Sequence, residues 1–280
     1  MKTDKTKTMK IIQKSLVQQS DNPDAFLFNS IVFGPVISRR LGVSLGINLL
    51  PINRKACTFN CIYCECGKTP DDIGNSILPT HDEVTKEIEK IFFDLRLSNQ
   101  SIDTITFAGN GEPTLHPHFP QIVDKLIVLR KKYFPAARIA VLTNATRLQK
   151  PGIINALSLV DDAILKLDSA IQETAEKINC PNETFNIESV IETASQMSGK
   201  CVIQTMFIRA TVDGNSIDNT TDEEVTRWLE ALNKIKPRLV QIYSLSRIPT
   251  INTVEKVDAE TLQNIAAKVQ QLGIETLVTP

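Results

Sequence analysis

The chain has 280 residues, of which 42% are hydrophobic, enough for a sizeable core. Its formal net charge is −1 and its pI is about 6.3, so no global charge draws it to nucleic acid or to an anionic membrane. The sequence contains no apolar run of signal-peptide or membrane-spanning length. We therefore expect a cytoplasmic protein without a membrane anchor, with a polar N-terminal extension at 1–25 and one core domain at 26–280.

Six short apolar segments rich in β-branched residues predict buried strands. In chain order they are 42–50, 102–109, 138–144, 162–168, 201–208 and 238–245. Helical periodicity recurs between and after them, over 80–98, 117–134, 150–160, 185–198, 221–235 and 258–273. The first of these helices opens with a capping box, in which Thr80 is followed three residues later by Glu83.

This alternation of strands and helices predicts one parallel α/β sheet with right-handed crossovers. Six units are fewer than the eight of a closed barrel, so the expected fold is an open, partial (β/α)6 barrel. In such folds chemistry takes place at the carboxyl ends of the strands. The polar residues that follow each predicted strand are therefore the candidates for a site.

Four of the six cysteines lie close together, at Cys57, Cys61, Cys64 and Cys66. In a reducing cytosol, clustered cysteines are more often metal ligands or catalytic thiols than disulfide partners. The C-x3-C-x2-C spacing of the first three can ligate three irons of a [4Fe–4S] cluster and leave the fourth iron open to a non-protein ligand. Zinc is the less favoured alternative, because a zinc site usually closes with a second, separated pair of ligands that this sequence lacks.

The remaining cysteines are expected to be ordinary thiols. Cys66 follows Cys64 too closely to complete the same cluster, so we interpret it as a thiol packed beside the site. Cys180, in the turn "NCPN", and Cys201, at a strand start, are predicted to be small buried hydrophobes.

The cysteine loop, with the aromatic Tyr63 before its last cysteine, resembles that of the radical S-adenosylmethionine (radical SAM) superfamily. "GNGEP", at Gly109–Pro113, is similar to that superfamily's Gly-Gly-Glu-Pro motif, with Asn110 in place of a glycine. Asparagine tolerates strained turn geometry better than most residues, which makes the replacement acceptable. The resemblance implies that Gly109, Asn110, Gly111 and Glu112 hold the amino group of the cofactor's methionine moiety, with Glu112 as the carboxylate.

Two further positions carry the resemblance. Asn144 ends the third predicted strand and Lys166 and Asp168 end the fourth, where related enzymes place polar contacts to the cofactor's ribose and carboxylate. A buried Lys–Asp ion pair is the alternative for the last two, because buried charges are usually paired. Tyr63 belongs with these cofactor-binding residues, and with Phe59 it is expected to shield the cluster; a plain core role is the alternative.

The segments "VFGPVISRRLGVSLGINLLP" and "VQIYSLSRIP" resemble one branch of the superfamily, the Fe–S oxidoreductases related to the tRNA wybutosine-synthesising radical enzyme. The chain departs from the archaeal members at one point. They hold a second cluster by cysteines before the motif, whereas residues 1–56 contain none.

The resemblance implies an activity. S-adenosylmethionine chelates the open iron, the reduced cluster cleaves it, and the resulting 5′-deoxyadenosyl radical abstracts a hydrogen from a substrate. It also implies a low-potential electron donor such as flavodoxin or ferredoxin. The sequence does not identify the substrate, and the branch resemblance favours RNA slightly. The alternatives are a partner protein that receives a glycyl radical and, outside enzymology, a zinc-stabilised binding module.

Substrate contacts are predicted on the rim of the barrel. Arginine suits phosphate and carboxylate groups, although solvated surface arginines are common. The candidates are Arg39, Arg40, Arg209, Tyr243 and Arg247.

Overall fold

The computed structural model describes residues 17–19, 26–246 and 253–280. The chain divides into two compact units. The first comprises Met1–Cys57, Cys66–Leu142 and Asn155–Asp162, and the second comprises Thr58–Glu65, Thr143–Ile154 and Ala163–Pro280.

The described strands are β1 (Val17–Gln19), β2 (Phe26–Phe28), β3 (Val32–Ser38), β4 (Gly42–Ile47), β5 (Thr104–Phe107), β6 (Arg138–Thr143), β7 (Asp162–Lys166), β8 (Cys201–Met206), β9 (Ile208–Val212), β10 (Asn215–Asp218), β11 (Leu239–Tyr243), β12 (Val254–Lys256) and β13 (Glu275–Thr279). The described α-helices are α1 (His81–Leu97), α2 (Phe119–Tyr133), α3 (Ile153–Leu159), α4 (Gln172–Asn179), α5 (Ile187–Ser195), α6 (Asp222–Ile235) and α7 (Ala259–Gln270).

The sheet of the first unit is mostly parallel. β4, β5 and β6 run parallel, and β3 pairs with β4 in the antiparallel sense. Helix α2 packs on this sheet, with the rings of Phe107 on β5 and Phe119 on α2 centred 5.6 Å apart. The predicted capping box starts α1, because Thr80 accepts from the Glu83 amide and the Glu83 carboxylate accepts from the Thr80 amide.

The second unit contains two sheets. β7, β8, β11 and β13 run parallel, whereas β9 pairs antiparallel with both β10 and β12. Ile208 and Ile217 of the antiparallel sheet share an apolar cluster with Ile62 of the cysteine loop and Ile178 of α4. Burial of these side chains fixes the loop against the rest of the unit.

The six predicted strands and six predicted helices are all present, shortened at their ends. The predicted parallel strands are present, and the strands that the prediction did not include, β3, β9, β10 and β12, pair antiparallel. The strand predicted at 201–208 ends at Met206, and Ile208 already belongs to β9. Of the predicted extension at 1–25, Val17–Gln19 is described and pairs with β2; a single domain over 26–280 stays a prediction.

Candidate active site

The turn after β5 brings backbone closer than any side chain would allow. Gly109 and Gly111 have φ values of +142° and +136°. A Cβ on Gly111 would lie 1.9 Å from the Ala56 carbonyl oxygen, and one on Gly109 would lie 2.5 Å from Asn48 Oδ1. Gly111 is therefore required by the close approach of the Ala56 backbone and Gly109 by the Asn48 side chain, and both are also required by conformation.

Ala56, the residue before Cys57, is held by this turn through two hydrogen bonds. Its amide donates to the Asn110 carbonyl at 2.8 Å, and its carbonyl accepts from the Glu112 amide at 3.0 Å. The backbone leading into Cys57 and the backbone bearing Glu112 thus form one hydrogen-bonded unit.

Asn110 supports the turn by a different route from the one expected. It lies outside the positive-φ region, and its buried side chain donates to the carbonyls of Phe28 and Pro51 and accepts from the Phe28 amide, each at 2.8 Å. The expectation that asparagine is tolerated here for its strained conformation is wrong, because the two flanking glycines carry the strain. Asn110 satisfies backbone groups that would otherwise be buried without partners.

Glu112 is a buried acid, 2% exposed. Its Oε1 accepts from the Thr114 amide at 3.0 Å and from the Thr114 hydroxyl at 2.5 Å. These two donors orient the carboxylate, and they also start the short 3-10 turn at Pro113–Leu115.

Cys66 lies beside the same turn, its thiol donating to the Gly109 carbonyl at 3.6 Å. The Thr69 hydroxyl donates to the Cys57 carbonyl at 3.1 Å, and the buried Lys55 ammonium donates to the Gly67 carbonyl at 2.9 Å. The segment that follows Cys66 is therefore folded back onto the residues around Cys57.

In the second unit, the loop bearing Cys61 and Cys64 packs on the end of α4. The Asn60 amide donates to the Asn179 carbonyl at 2.9 Å, and the Ile62 amide donates to the Ile178 carbonyl at 2.9 Å. The Cys64 amide turns back onto the Cys61 carbonyl at 2.9 Å, so the two cysteines lie on one tight turn. Phe59 is buried, with its ring 5.1 Å edge-on from that of Phe185.

Lys166 and Asp168 form a buried ion pair, with Nζ 3.1 Å from Oδ1. The Lys166 ammonium also donates to the Tyr243 hydroxyl at 2.7 Å and lies over the rings of Tyr63 and Tyr243. The Tyr63 hydroxyl donates to the Asp168 carboxylate. The ion pair that was the alternative interpretation of these residues is therefore present.

Two pKa values follow from this arrangement. Burial disfavours the charged form of Lys166, but Asp168 and Tyr243 outweigh it, so the pKa of Lys166 is raised. Burial, reinforced by the Asp168 carboxylate, raises the pKa of Tyr63 well above its usual value. Near neutral pH Lys166 is a cation and Tyr63 is a neutral hydrogen-bond donor.

Asn144 contacts the start of the cysteine loop. Its Nδ2 donates to the Thr58 hydroxyl at 2.7 Å, and its Oδ1 accepts from the amide and hydroxyl of Thr146 at 3.1 and 2.8 Å. In the described structure its amide orients neighbouring protein groups.

The structure separates the proposed substrate arginines. Arg39 and Arg40 lie in the turn before β4, at its amino end, whereas the cysteine loop follows its carboxyl end. Their assignment to the same rim is wrong, because a strand of six residues spans roughly 20 Å. Arg209 pairs with Asp218 at 3.2 Å, Tyr243 is buried in the Lys166 network, and Arg247 lies outside the described residues.

The sequence interpretation missed Asn179. Its Nδ2 lies 3.4 Å from Cys61 Sγ and 3.0 Å from Asp168 Oδ2. The only signal was its place in "NCPN", which indicates a turn and no contact.

Cys201 is fully buried, as predicted, and burial raises the pKa of its thiol to about 11. Cys180 is partly buried and packs against the apolar cluster around Ile62.

Two features are absent from the described residues. None of the helices there is long and apolar enough to cross a membrane. In the same residues, no group of three or more His, Cys, Asp or Glu side chains is arranged to hold a metal ion.

The sequence matches the Radical SAM superfamily over residues 55–215, a span that includes the cysteine loop, "GNGEP", Lys166 and Asp168. The chain belongs to this superfamily, and the predicted class of radical SAM enzyme is confirmed. UPF0026 protein slr1464 of Synechocystis sp. is 31% identical over 277 residues, covering 89% of this chain and 96% of that protein. GTPase Obg of Brachyspira hyodysenteriae is 28% identical over 263 residues, covering 91% of this chain and 36% of that protein, so the chain spans about a third of this relative.

Solved structures share the fold. A radical SAM methyltransferase from Sphaerobacter thermophilus aligns with a TM-score of 0.63 at 14% identity, covering 94% of this chain and 75% of that one. TYW1 with a lysine-pyruvate adduct bound aligns with a TM-score of 0.56 at 13% identity, covering 95% and 89%. The predicted fold class, a partial radical SAM barrel, is confirmed.

Proposed function

We propose that the protein binds a [4Fe–4S] cluster through Cys57, Cys61 and Cys64 and binds S-adenosylmethionine at its open iron. When bound, this pair supplies reductive cleavage of the sulfonium to a 5′-deoxyadenosyl radical that abstracts a hydrogen from a substrate. The observation that carries the proposal is the pair of backbone hydrogen bonds by which Ala56 joins the approach to Cys57 to the turn bearing Glu112.

The donor set suits these groups. Three thiols on one short loop match a cluster with one iron lacking a protein ligand. A structural zinc site would instead need four protein ligands, usually as two pairs separated in sequence. Glu112 offers a buried, oriented carboxylate to an ammonium group. Gly109 and Gly111 carry no side chain that would keep backbone oxygens away from that ammonium group. The chain's part is to orient the cofactor and to exclude water around it.

The second unit supplies the other proposed cofactor residues. We assign Tyr63, Asn144, Lys166 and Asp168 to the cofactor's side of the cysteine loop, where Lys166 carries a positive charge suited to a carboxylate. The hydroxyl and amide contacts of these residues keep the loop in one arrangement. Asn110 contributes through the backbone that it supports.

We propose RNA as the substrate and a low-potential flavodoxin or ferredoxin as the electron source, working in the cytoplasm. The resemblance of "VQIYSLSRIP" to the wybutosine branch supports RNA. Clustered cysteines that serve as metal ligands suit a reducing compartment. Turnover with S-adenosylmethionine, comparing RNA with candidate glycyl-radical proteins for stimulated 5′-deoxyadenosine release, tests the substrate class.

The cluster is tested by anaerobic reconstitution of the full chain with iron and sulfide. The expected product holds about four irons per chain and yields 5′-deoxyadenosine with dithionite and S-adenosylmethionine. Cys57→Ala, Cys61→Ala and Cys64→Ala should each lose both properties, whereas the matched variant Cys66→Ala keeps them. A wild-type chain that takes up only zinc, or loss of the cluster in Cys66→Ala alone, would overturn the assignment.

The role of Glu112 is tested by Glu112→Gln, which keeps the shape and one acceptor but removes the charge. We expect affinity for S-adenosylmethionine to fall about tenfold or more, the loss of one charge-assisted hydrogen bond. Glu224→Gln is the control, because Glu224 is also buried, 6% exposed, and accepts from the Ser169 hydroxyl at 2.7 Å. Equal affinity in the two reconstituted variants, measured by calorimetry, contradicts the assignment.

A further inference from the structure

Asn179, the last residue of α4, touches a proposed cluster ligand with its side chain. Its Nδ2 lies 3.0 Å from Asp168 Oδ2, 3.4 Å from Cys61 Sγ and 3.5 Å from the Tyr63 hydroxyl oxygen, and the residue is 5% exposed. A primary amide carries two hydrogens on this nitrogen. One can be donated to Asp168 and the other to the Cys61 sulfur, because a contact of 3.5 Å to the Tyr63 oxygen is long for a hydrogen bond between nitrogen and oxygen. The partner fixes the orientation of the amide, because a carboxylate oxygen only accepts and Nδ2 must therefore face it.

The backbone around Asn179 is fixed as well. Its carbonyl accepts from the Asn60 amide at 2.9 Å, inside the cysteine loop, and the Cys180 amide that follows donates to the Glu176 carbonyl at 2.8 Å. The side chain and the loop that it serves therefore move together. A donor held this way loses little conformational entropy when it bonds to sulfur.

Asp168 is fully used by protein donors in the described structure. Oδ1 accepts from the Met206 amide at 2.9 Å and faces the Lys166 ammonium at 3.1 Å. Oδ2 accepts from the Tyr63 hydroxyl and from Asn179. A carboxylate has about four lone-pair sites, and four donors occupy them.

We propose that Asn179 is a positioning residue that donates an N–H···S hydrogen bond to the Cys61 ligand and raises the reduction potential of the cluster, and that Asp168 serves to aim this amide. The inference rests on the proposed function. It changes the role that the family resemblance implies for Asp168, from a cofactor contact to a support acting through Asn179.

The physical reason is electrostatic. Adding one electron to [4Fe–4S]2+ increases the negative charge shared by the cluster and its thiolates. A hydrogen bond to a ligand sulfur stabilises the more negative, reduced form and so makes reduction easier. Removing the donor makes the potential more negative.

The experiment compares two variants that lack the donor with one matched variant. Asn179→Leu removes the amide at nearly constant size, and Asn179→Ala removes it with less steric demand. Asn219→Ala is the control, because the Asn219 amide is buried and donates to the Asp168 carbonyl at 2.8 Å and the Met206 carbonyl at 2.9 Å. Its loss loosens the same region while the Asn179–Cys61 contact stays in place.

Each reconstituted chain is titrated with dithionite in the absence of S-adenosylmethionine, and the signal of the one-electron-reduced cluster is followed by electron paramagnetic resonance. We expect a more negative midpoint potential in both Asn179 variants and the wild-type value in Asn219→Ala. The inference is overturned if the Asn179 variants keep the wild-type potential, or if Asn219→Ala shifts as far as they do. Failure of the wild type itself to take up a cluster counts against the proposed function instead, so the two failures are distinguishable.

Discussion

In the first unit the approach to Cys57 is fixed by backbone hydrogen bonds from the "GNGEP" turn, whereas in the second unit the loop with Cys61 and Cys64 lies against buried charges. The first arrangement depends on space, because Gly111 leaves no room for a Cβ beside Ala56. The second depends on charge balance, because the Asp168 side chain is fully buried and the Lys166 side chain is only 17% exposed.

These two supports fail in different ways. Adding one methyl group breaks the first, and removing one charge breaks the second. The first kind of support recurs as a short glycine motif that a sequence displays, while the second is assembled from residues on several strands and helices. A substitution can disturb the hydrogen bonds at Ala56 or the Lys166–Asp168 ion pair without touching the other.

The largest effect is expected from Gly111→Ala. The new Cβ would lie 1.9 Å from the Ala56 carbonyl oxygen, so the turn must move and both hydrogen bonds to Ala56 are lost. We expect a loss of more than about 4 kcal/mol in the free energy of unfolding, measured by denaturant titration. Gly273→Ala is the control, because φ is also positive at Gly273, +76° against +136° at Gly111, but a Cβ there would meet no atom within 4 Å. It should lose only about 1–2 kcal/mol, and equal losses would show that conformation, not space, decides.

Lys166→Met comes next. It leaves the Asp168 carboxylate buried without its cation, which costs about 3–5 kcal/mol when a buried pair is broken from one side. The double variant Lys166→Met, Asp168→Asn should regain much of that loss, because no uncompensated charge remains. Lys177→Met, which breaks the exposed pair with Glu173, serves as the control and should change the unfolding midpoint little. No recovery in the double variant would show that packing of the Lys166 stem is the cause.

The sequence predicted what local patterns determine. Short apolar runs of β-branched residues located the main strands, period-3.6 alternation located the helices, and the Thr80 capping box located the start of α1. The glycines of "GNGEP" marked the turn, because its conformation and close contacts leave no room for a side chain at either glycine. These signals lie within a few positions of the structure that they encode.

What could not be predicted depends on contacts that are distant in sequence. Asn179 meets Cys61 across 118 positions, and Asn110 meets Phe28 across 82. No local pattern distinguishes these asparagines from asparagines in ordinary turns. Arg39 and Arg40 were misplaced for a different reason, because their position before the strand predicted at 42–50 already put them at its amino end.

A smaller effect is expected when the orientation of Glu112 is disturbed without touching the backbone. Thr114→Val removes the hydroxyl that donates to Oε1 at 2.5 Å and leaves the amide donor at 3.0 Å in place. The loss of a hydrogen bond to a buried charge should cost about 1.5–3 kcal/mol of stability. Thr114→Ser keeps the hydroxyl and should unfold close to the wild-type midpoint. If the serine variant is as unstable as the valine variant, the methyl group rather than the hydroxyl is what matters.

The smallest expected effect is a pH dependence of stability that differs between the "GNGEP" turn and the Lys166–Asp168 pair. His116 is buried after the "GNGEP" turn; its Nε2–H donates to the Pro79 carbonyl at 2.8 Å and its Nδ1 accepts from the His118 amide at 3.1 Å. Burial lowers the pKa of His116, so the unfolded chain binds a proton that the folded imidazole resists, and stability falls as pH drops below about 6.5. The Lys166 pair does not share this dependence, because its ammonium, with a raised pKa, stays charged throughout that range.

Hydrogen exchange measured at pH values of about 7.5 and 5.5, corrected for the intrinsic rate, distinguishes the units. Protection in Phe119–Tyr133 should fall on acidification more than protection in Asp162–Lys166. His116→Gln should reduce this difference in protection, because it removes the imidazole whose pKa is lower in the folded chain than in the unfolded chain. In His118→Gln the backbone amide of residue 118 remains as a donor to His116, so the difference in protection should be retained. An equal loss of protection in both segments would mean that the acid response is global. It would also mean that neutral His116 does not contribute specifically to the stability of the first unit.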